Sequence, residues 1–256
     1  MRVDYKKEDI VEALYSVGIS LGDDVFIHSN IGFFGMLENC KSANDLCEGF
    51  IGAIREVIGE EGSIICPTFS YSYCHGEIYN PATTGTTCGM LSEYMIKHYP
   101  ENRTLDPNFS VCGIGKAFDV YKNCNIHESF GSGSFFELFK NRNGKILCLN
   151  FDAGSTFVHY IERANNVDYR YNKAFNGQTE IDGKITKDYA VHFVFEGDDN
   201  YPCMERVDDL CRENNICKEV CLGKGTVLAS PSKEYFDFFS NVLKTRPRVF
   251  CKTENV

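Results

Sequence analysis

No window of the 256-residue chain approaches the run of about 18 apolar residues that a membrane-spanning helix needs, so no span is expected. Lys and Arg form no run or stripe, and they number 26 against 36 Asp and Glu, for a net charge of −10. A nucleic-acid binder carries a basic footprint, so that class falls away. The acidic excess suits a cationic substrate, although solubility explains it equally well. No Cys-x-x-Cys pair occurs among the 13 cysteines, and the densest stretch, Cys203, Cys211, Cys217 and Cys221, fits no common zinc spacing. They read as free thiols in a reducing compartment, and no metal is expected. H-E-x-x-H, the Walker loop and G-x-G-x-x-G are all missing. The N-terminus is charged and amphipathic, unlike a signal peptide, which makes the cytoplasm the expected location. With no internal repeat and no low-complexity linker, the expected organisation is one domain over residues 1–256.

Alternating elements occupy what remains. Ile10, Val11, Leu14 and Val17 recur at helical spacing over 6–17, and Asp24 to His28 reads as a buried strand. A helix over 42–58 starts at the N-cap Ser42 and ends before Gly59. Ser63 to Cys66 is the next strand. Strand, helix-sized crossover and strand make a βαβ unit, which implies parallel strands, helices on the sheet faces and an α/β fold. Residues 68–88 carry no period and read as a long functional loop. Further elements are a helix at 89–98, a strand at 145–149, a helix carrying Thr156, His159 and Glu162, and a strand-rich, polar stretch at 165–203. The tail reads as a helix at 204–214, short strands over 218–230 and a last helix at 232–243.

Four constellations offer chemistry. Thr156, His159 and Glu162 are spaced three apart, so they share one helix face directly after a strand. A carboxylate beside an imidazole raises its basicity and orients it, and a Thr one turn earlier can donate to an oxyanion. By spacing alone, a solvent-facing His–Glu pair fits equally well. His28, Ser29, Asn30 and Ile31 open a Gly-containing loop whose backbone N–H groups suit a phosphate. Arg103 with Thr104 and Ser110 offers a guanidinium and two hydroxyls to a phosphate, or forms an ordinary surface turn. Glu93, in the first turn of the 89–98 helix, either holds an ammonium group or favours the helix terminus.

Taken in order, these segments resemble the aminoglycoside 3-N-acetyltransferase family. The matching stretches are Val25 to Ser29 with Gly35, Gly62 to Phe69, Asn80-Pro81, Gly89 to Glu93, and Arg103 to Ser110. They continue through His127, Phe130 to Phe136, Gly144 to Leu149 and Asp152 to Glu162. The likeness spans about residues 8–165. Each motif is weak alone, and the ordered series is specific.

The resemblance implies a three-layer α/β/α fold around a central mixed, partly parallel sheet. It implies acetyl-CoA as co-substrate, without a metal, and a small-molecule amine as acceptor; a homodimer is the assembly it allows for. By matched position, His159 is the base, Glu162 its orienting partner and Thr156 the carbonyl donor. His28, Ser29, Asn30, Ile31, Arg103, Thr104 and Ser110 fall to the cofactor, and Glu93, Asp106 and Tyr71 to the acceptor. Direct attack by the amine is expected over an acyl-Cys route, because no Cys falls within the His159 segment. Asp106 stands where the family has His, Phe135 where it has Pro, and Asn30 where it has a second Ser. The acceptor is thus expected to be an amino sugar, either an aminoglycoside or nucleotide-linked. The rival readings are a CoA-binding member without activity, a transferase of another acyl-CoA, and a phosphate-dependent transferase that would need a metal.

Overall fold

A computed structural model describes residues 3–197 and 202–252. The helices are α1 (Lys7–Ser16), α2 (Ala43–Ile58), α3 (Ser72–His75), α4 (Met90–His98), α5 (Phe118–Lys122), α6 (Phe135–Asn141), α7 (Phe157–Ala164), α8 (Met204–Glu213) and α9 (Ser232–Thr245). The strands are β1 (Asp24–Ser29), β2 (Ser63–Pro67), β3 (Ile78–Tyr79), β4 (Val111–Ile114), β5 (Lys145–Leu149), β6 (Arg170–Ile181), β7 (Lys184–Phe195), β8 (Lys218–Leu222) and β9 (Gly225–Pro231).

Six strands form the main sheet in the order β4-β2-β1-β5-β9-β8. β1 runs parallel to β2 and β5, while the outer pairs are antiparallel. Strand side chains alternate between faces. Val25, Ile27, Ile64, Leu147 and Val227 therefore pack with Leu14 of α1, Phe50 and Ile54 of α2 and Leu91 of α4. Phe26, which stands in register with both Ile65 and Ile146, points the other way. There it joins Phe136 and Phe139 of α6, Phe157 and Ile161 of α7, Val207 of α8 and Phe239 of α9. Two apolar layers separated by one mixed sheet are the expected three-layer α/β/α arrangement.

Local sequence explains both ends of α2. Ser42 and Asp45 exchange reciprocal hydrogen bonds at the start of α2, and Gly59, at φ +66°, ends it. The periodless stretch 68–88 is not all loop. It holds the single turn α3 and the two-residue strand β3, both too short to show a period. β4 carries Gly113 and is only four residues long, so it too lacks a strand signature. The strand-rich expectation over 165–203 resolves into one hairpin of two twelve-residue strands, β6 and β7, which adds β3 to make a second, three-stranded sheet. Asp182 and Gly183 form its two-residue turn, both at positive φ, as a hairpin twist demands. Residues 198–201 of that expectation lie outside the described residues.

Candidate active site

β1 is the point where chain direction across the sheet switches. The chain leaves β1 toward α2 on one face and leaves β5 toward α7 on the other. Neighbouring parallel strands whose exits diverge leave a crevice at their carboxyl ends. A cavity of about 270 Å³ opens there, lined by His28, Ser29 and Asn30 after β1 and by Phe151 and Thr156 after β5. Pro67 and Phe69 after β2, with Thr87, Cys88 and Gly89 before α4, complete its wall. The two lips are tied together by the Asn30 N–H, which donates to the Leu149 carbonyl at 2.8 Å.

His28 is 6% exposed, and its Nε2 has no hydrogen-bond partner among the described residues. Burial pushes its imidazole down to about 4, so it is neutral near pH 7. Its ring stacks on Phe151, with centroids 5.5 Å apart. Ile31 turns its side chain into the core, so only its backbone can face a ligand. Thr156 is the N-cap residue of α7, yet its side chain caps nothing. Ser155 takes over locally, accepting from the Phe157 N–H at 3.2 Å. The Thr156 hydroxyl is thereby left for the cavity.

One turn on, His159 Nδ1 lies 2.7 Å from Glu162 Oε2. Glu162 is 0% exposed. A buried lone carboxylate would be prohibitive, and Arg170 answers this with its Nε 2.8 Å from the same Oε2. Burial pushes the Glu162 carboxyl up, but His159 and Arg170 outweigh it and hold it below the usual carboxylate range. Burial also pushes the His159 imidazole down, Arg170 adds to that, and Glu162 opposes both; the outcome lies below an ordinary histidine. The pair thus rests as a neutral imidazole on an anion. An anionic acceptor at Nδ1 places the proton there and leaves the Nε2 lone pair free. Phe130 stands edge-on to the His159 ring at 5.5 Å.

Neither His159 nor Glu162 lines the His28 cavity, whose contact with α7 is Thr156, and the remaining expected residues sit elsewhere. Arg103, 2% exposed, donates to the carbonyls of Thr68, Pro81, Thr84 and Gly85 and to the Ser110 hydroxyl. Thr104 accepts from the Val111 N–H, and Ser110 donates to the Thr68 carbonyl. This cluster lies behind the 68–88 segment and contributes no lining residue to the His28 cavity. Asp106 Oδ1 accepts from the N–H groups of Asn108 and Phe109, both at 2.9 Å, closing a buried turn. Tyr71 adopts φ +54° and packs on Phe109 and against His192 of β7. Glu93 is exposed on α4 and does not line the cavity. Three contributors escaped the sequence reading. Cys88 and Phe151 line the cavity from loops without a motif, and Arg170 opens a strand that looked merely polar. Among the described residues no group of three or more His, Cys, Asp or Glu is placed to hold a metal ion, and no helix is long and apolar enough to cross a membrane.

Comparison with known proteins identifies the family. The family model described as aminoglycoside 3-N-acetyltransferase matches residues 26–244. The aminoglycoside N(3)-acetyltransferase III of Salmonella sp is 23% identical over 217 residues, covering 75% of this chain and 74% of that one. A solved structure of AAC-IIIb in a binary complex with CoASH superposes with a TM-score of 0.79 at 15% identity, covering 96% of this chain and 98% of that chain. AAC-VIa bound to sisomicin gives a TM-score of 0.78 at 17% identity, covering 94% and 98%. With the family model covering most of its length, the chain belongs to the aminoglycoside 3-N-acetyltransferase family and is an N-acetyltransferase.

Proposed function

We propose that the protein transfers the acetyl group of acetyl-CoA to an amino group of an amino sugar, either an aminoglycoside or a nucleotide-linked sugar, by direct attack with His159 as general base. The observation that carries this reading is the His159–Glu162 pair, a neutral imidazole on a buried anion one turn beyond the unpartnered Thr156 hydroxyl. An alkyl ammonium is not nucleophilic until it loses a proton. His159 Nε2 takes that proton, and Glu162 stabilises the imidazolium that results. The amine then attacks the thioester carbonyl, whose developing oxyanion the Thr156 hydroxyl stabilises. Collapse breaks the C–S bond, the departing thiolate takes up the proton that the amide nitrogen sheds and leaves as CoA, and His159 returns its own proton to solvent.

The crevice suits acetyl-CoA. It offers an orphaned buried His28 nitrogen and the polar lip Ser29–Asn30 on the same cavity as Thr156. The CoASH complex of AAC-IIIb, which has the same fold, supports that assignment. The Arg103–Thr104–Ser110 cluster serves it from behind, by holding Thr68 and the 81–85 segment in place. Tyr71 and Asp106 shape the acceptor side, and residues 1–256 act as one domain.

The test is CoA release measured over a panel of aminoglycosides and nucleotide-linked amino sugars, with His159→Ala in parallel. Turnover by the wild type on at least one class, lost in the variant while CoA affinity persists, is the expected result. CoA binding without turnover on any amine would leave a binding protein. Turnover of 2-deoxystreptamine antibiotics alone would make this an antibiotic-resistance enzyme and remove the nucleotide-linked alternative.

A further inference from the structure

The catalytic pair is held by a third residue. Arg170 is the first residue of β6, and its side chain is almost wholly buried. Its Nε lies 2.8 Å from Glu162 Oε2, the oxygen that also faces His159 Nδ1. A terminal nitrogen of the same guanidinium donates to the Phe193 carbonyl at 2.8 Å, and its plane sits 3.5 Å from the centroid of the Phe195 ring. Phe195 is the register partner of Arg170 across the hairpin. Strand β7 thus fixes the guanidinium from two sides, and the guanidinium faces Glu162 as an ion pair without an aligned hydrogen bond.

We propose, building on His159 as base, that Arg170 is a positioning residue for proton transfer. By sharing Oε2 with His159 it holds Glu162 as an anion, orients the His159 ring and keeps that ring unprotonated until an ammonium group reaches it. Two physical effects divide the work. Without Arg170, a carboxylate that is 0% exposed would either take up a proton or draw one onto His159. In either case the pair would already hold the proton that the base must accept from the substrate. With Arg170 present, the cation cancels most of that pull, and the pair behaves as one site that takes up its proton only at lower pH.

The other groups facing the pair leave Arg170 as the decisive charge. Tyr169, next to it, presents a buried phenol that burial and the Glu162 charge push well up, so it is neutral. His192 on β7 is pushed down to about 3, mainly by burial, and is neutral as well. Cys251 is pushed up to about 11, mainly by burial, and stays a thiol. On α7 itself, Arg163 is engaged by Glu128 of the 123–134 loop. Arg248, whose guanidinium lies 5.9 Å from the Tyr169 ring centroid, is paired with Asp168. The placement also has a mechanical consequence. Arg170 bolts the β6–β7 hairpin, whose His192 faces Tyr71 and Phe109, to the helix that carries the base.

The experiment reads the protonation of His159 directly, by NMR titration of its labelled imidazole in the free protein. Wild type, Arg170→Gln, Glu162→Gln and the double variant Glu162→Gln/Arg170→Met are compared, with Arg170→Lys as the conservative case. Arg170→Gln is expected to raise the titration midpoint of the pair by about one pH unit, and Glu162→Gln to lower it. The acid limb of kcat/KM should move with the midpoint, and Arg170→Lys should restore part of both. The double variant, neutral at both buried positions, should titrate below Arg170→Gln. If Arg170→Gln does not fold, the double variant against Glu162→Gln still isolates Arg170, because the double variant buries no unpaired charge. That comparison should then show a further rise on removing the cation. A folded variant whose His159 titrates as in wild type would overturn the proposal. A shifted midpoint with an unchanged pH–rate profile would instead remove His159 as the base and leave the electrostatic coupling standing.

Discussion

The helix that carries His159 and the segment that carries Arg103 both bury charge, and they do so in opposite ways. Arg103 is surrounded by neutral oxygens of this chain: four carbonyls and one hydroxyl. Its terminal nitrogens hold backbone, and its Nε holds the Ser110 hydroxyl. Glu162 is flanked by one cation and one base, with Arg170 and His159 sharing one of its oxygens. The first arrangement ties distant segments together. The second leaves His159 Nε2 with a lone pair and no hydrogen bond among the described residues, while Nδ1 is taken by Glu162. A buried charge therefore indicates chemistry when its partners are titratable and one of them is unfinished. It indicates architecture when its partners are backbone.

Substitutions can break that contrast. His159→Ala should cost about 10³-fold in kcat/KM with little change in the urea midpoint or in CoA affinity by calorimetry. Arg103→Ala should do the reverse. Several carbonyls lose a charged donor, and stability should fall by about 3 kcal/mol or more in urea unfolding. Loss of CoA affinity with an unchanged midpoint would make Arg103 a cofactor ligand and erase the contrast. Thr156→Val removes the proposed oxyanion donor and should cost about 10²-fold in kcat without altering stability. An unaffected kcat would take Thr156 out of the mechanism.

Asp106 sharpens the comparison at lower amplitude. Burial raises its carboxyl, while the N–H groups of Phe109 and Asn108 offset part of that. The folded chain therefore keeps this proton to a higher pH than the unfolded chain does. Ionised Asp106 subtracts stability as pH rises through its folded value, and nothing is lost below the ordinary carboxylate range. Asp106→Asn keeps an oxygen for both N–H donors. It should raise the urea midpoint slightly at pH 7, and the gain should fade on acidification. A raised KM for the amine in this variant would identify Asp106 as an acceptor contact. The smallest expected effect is that of Cys88→Ser. Cys88 lines the cavity, but burial raises its thiol, which makes it a poor nucleophile near neutral pH. Turnover within a few-fold of wild type is expected, and complete loss would reopen the acyl-Cys route.

Much of this was legible in the sequence, for local reasons. Ser42, Asp45 and Gly59 mark the ends of α2 because capping and positive φ are properties of single residues. Thr156, His159 and Glu162 lie on one helix face because three-residue spacing dictates it. The hydrophobic strands around β1 and β5 announce a sheet covered on both sides. Other features had no local signal. Arg170 looks like any polar strand residue, and it becomes significant only because the hairpin lays it against a helix eight residues earlier in the chain. Cys88 and Phe151 meet His28 only because β2, β1 and β5 end at the same edge. Arg103 resembled a phosphate clamp because its neighbours Thr104 and Ser110 carry hydroxyls, and nothing in that spacing shows that a 68–85 segment arrives to occupy it.

The sequence by itself determined which side chains could do acid–base work and which helix presents them, since periodicity and side-chain chemistry are local. Tertiary structure alone decided the state in which they wait. Whether His159 rests neutral, whether Glu162 stays an anion and whether Arg103 is free for a ligand all depend on burial and on partners from distant segments. Those are the quantities that set the energy of a charge, and they exist only once the chain has closed around it.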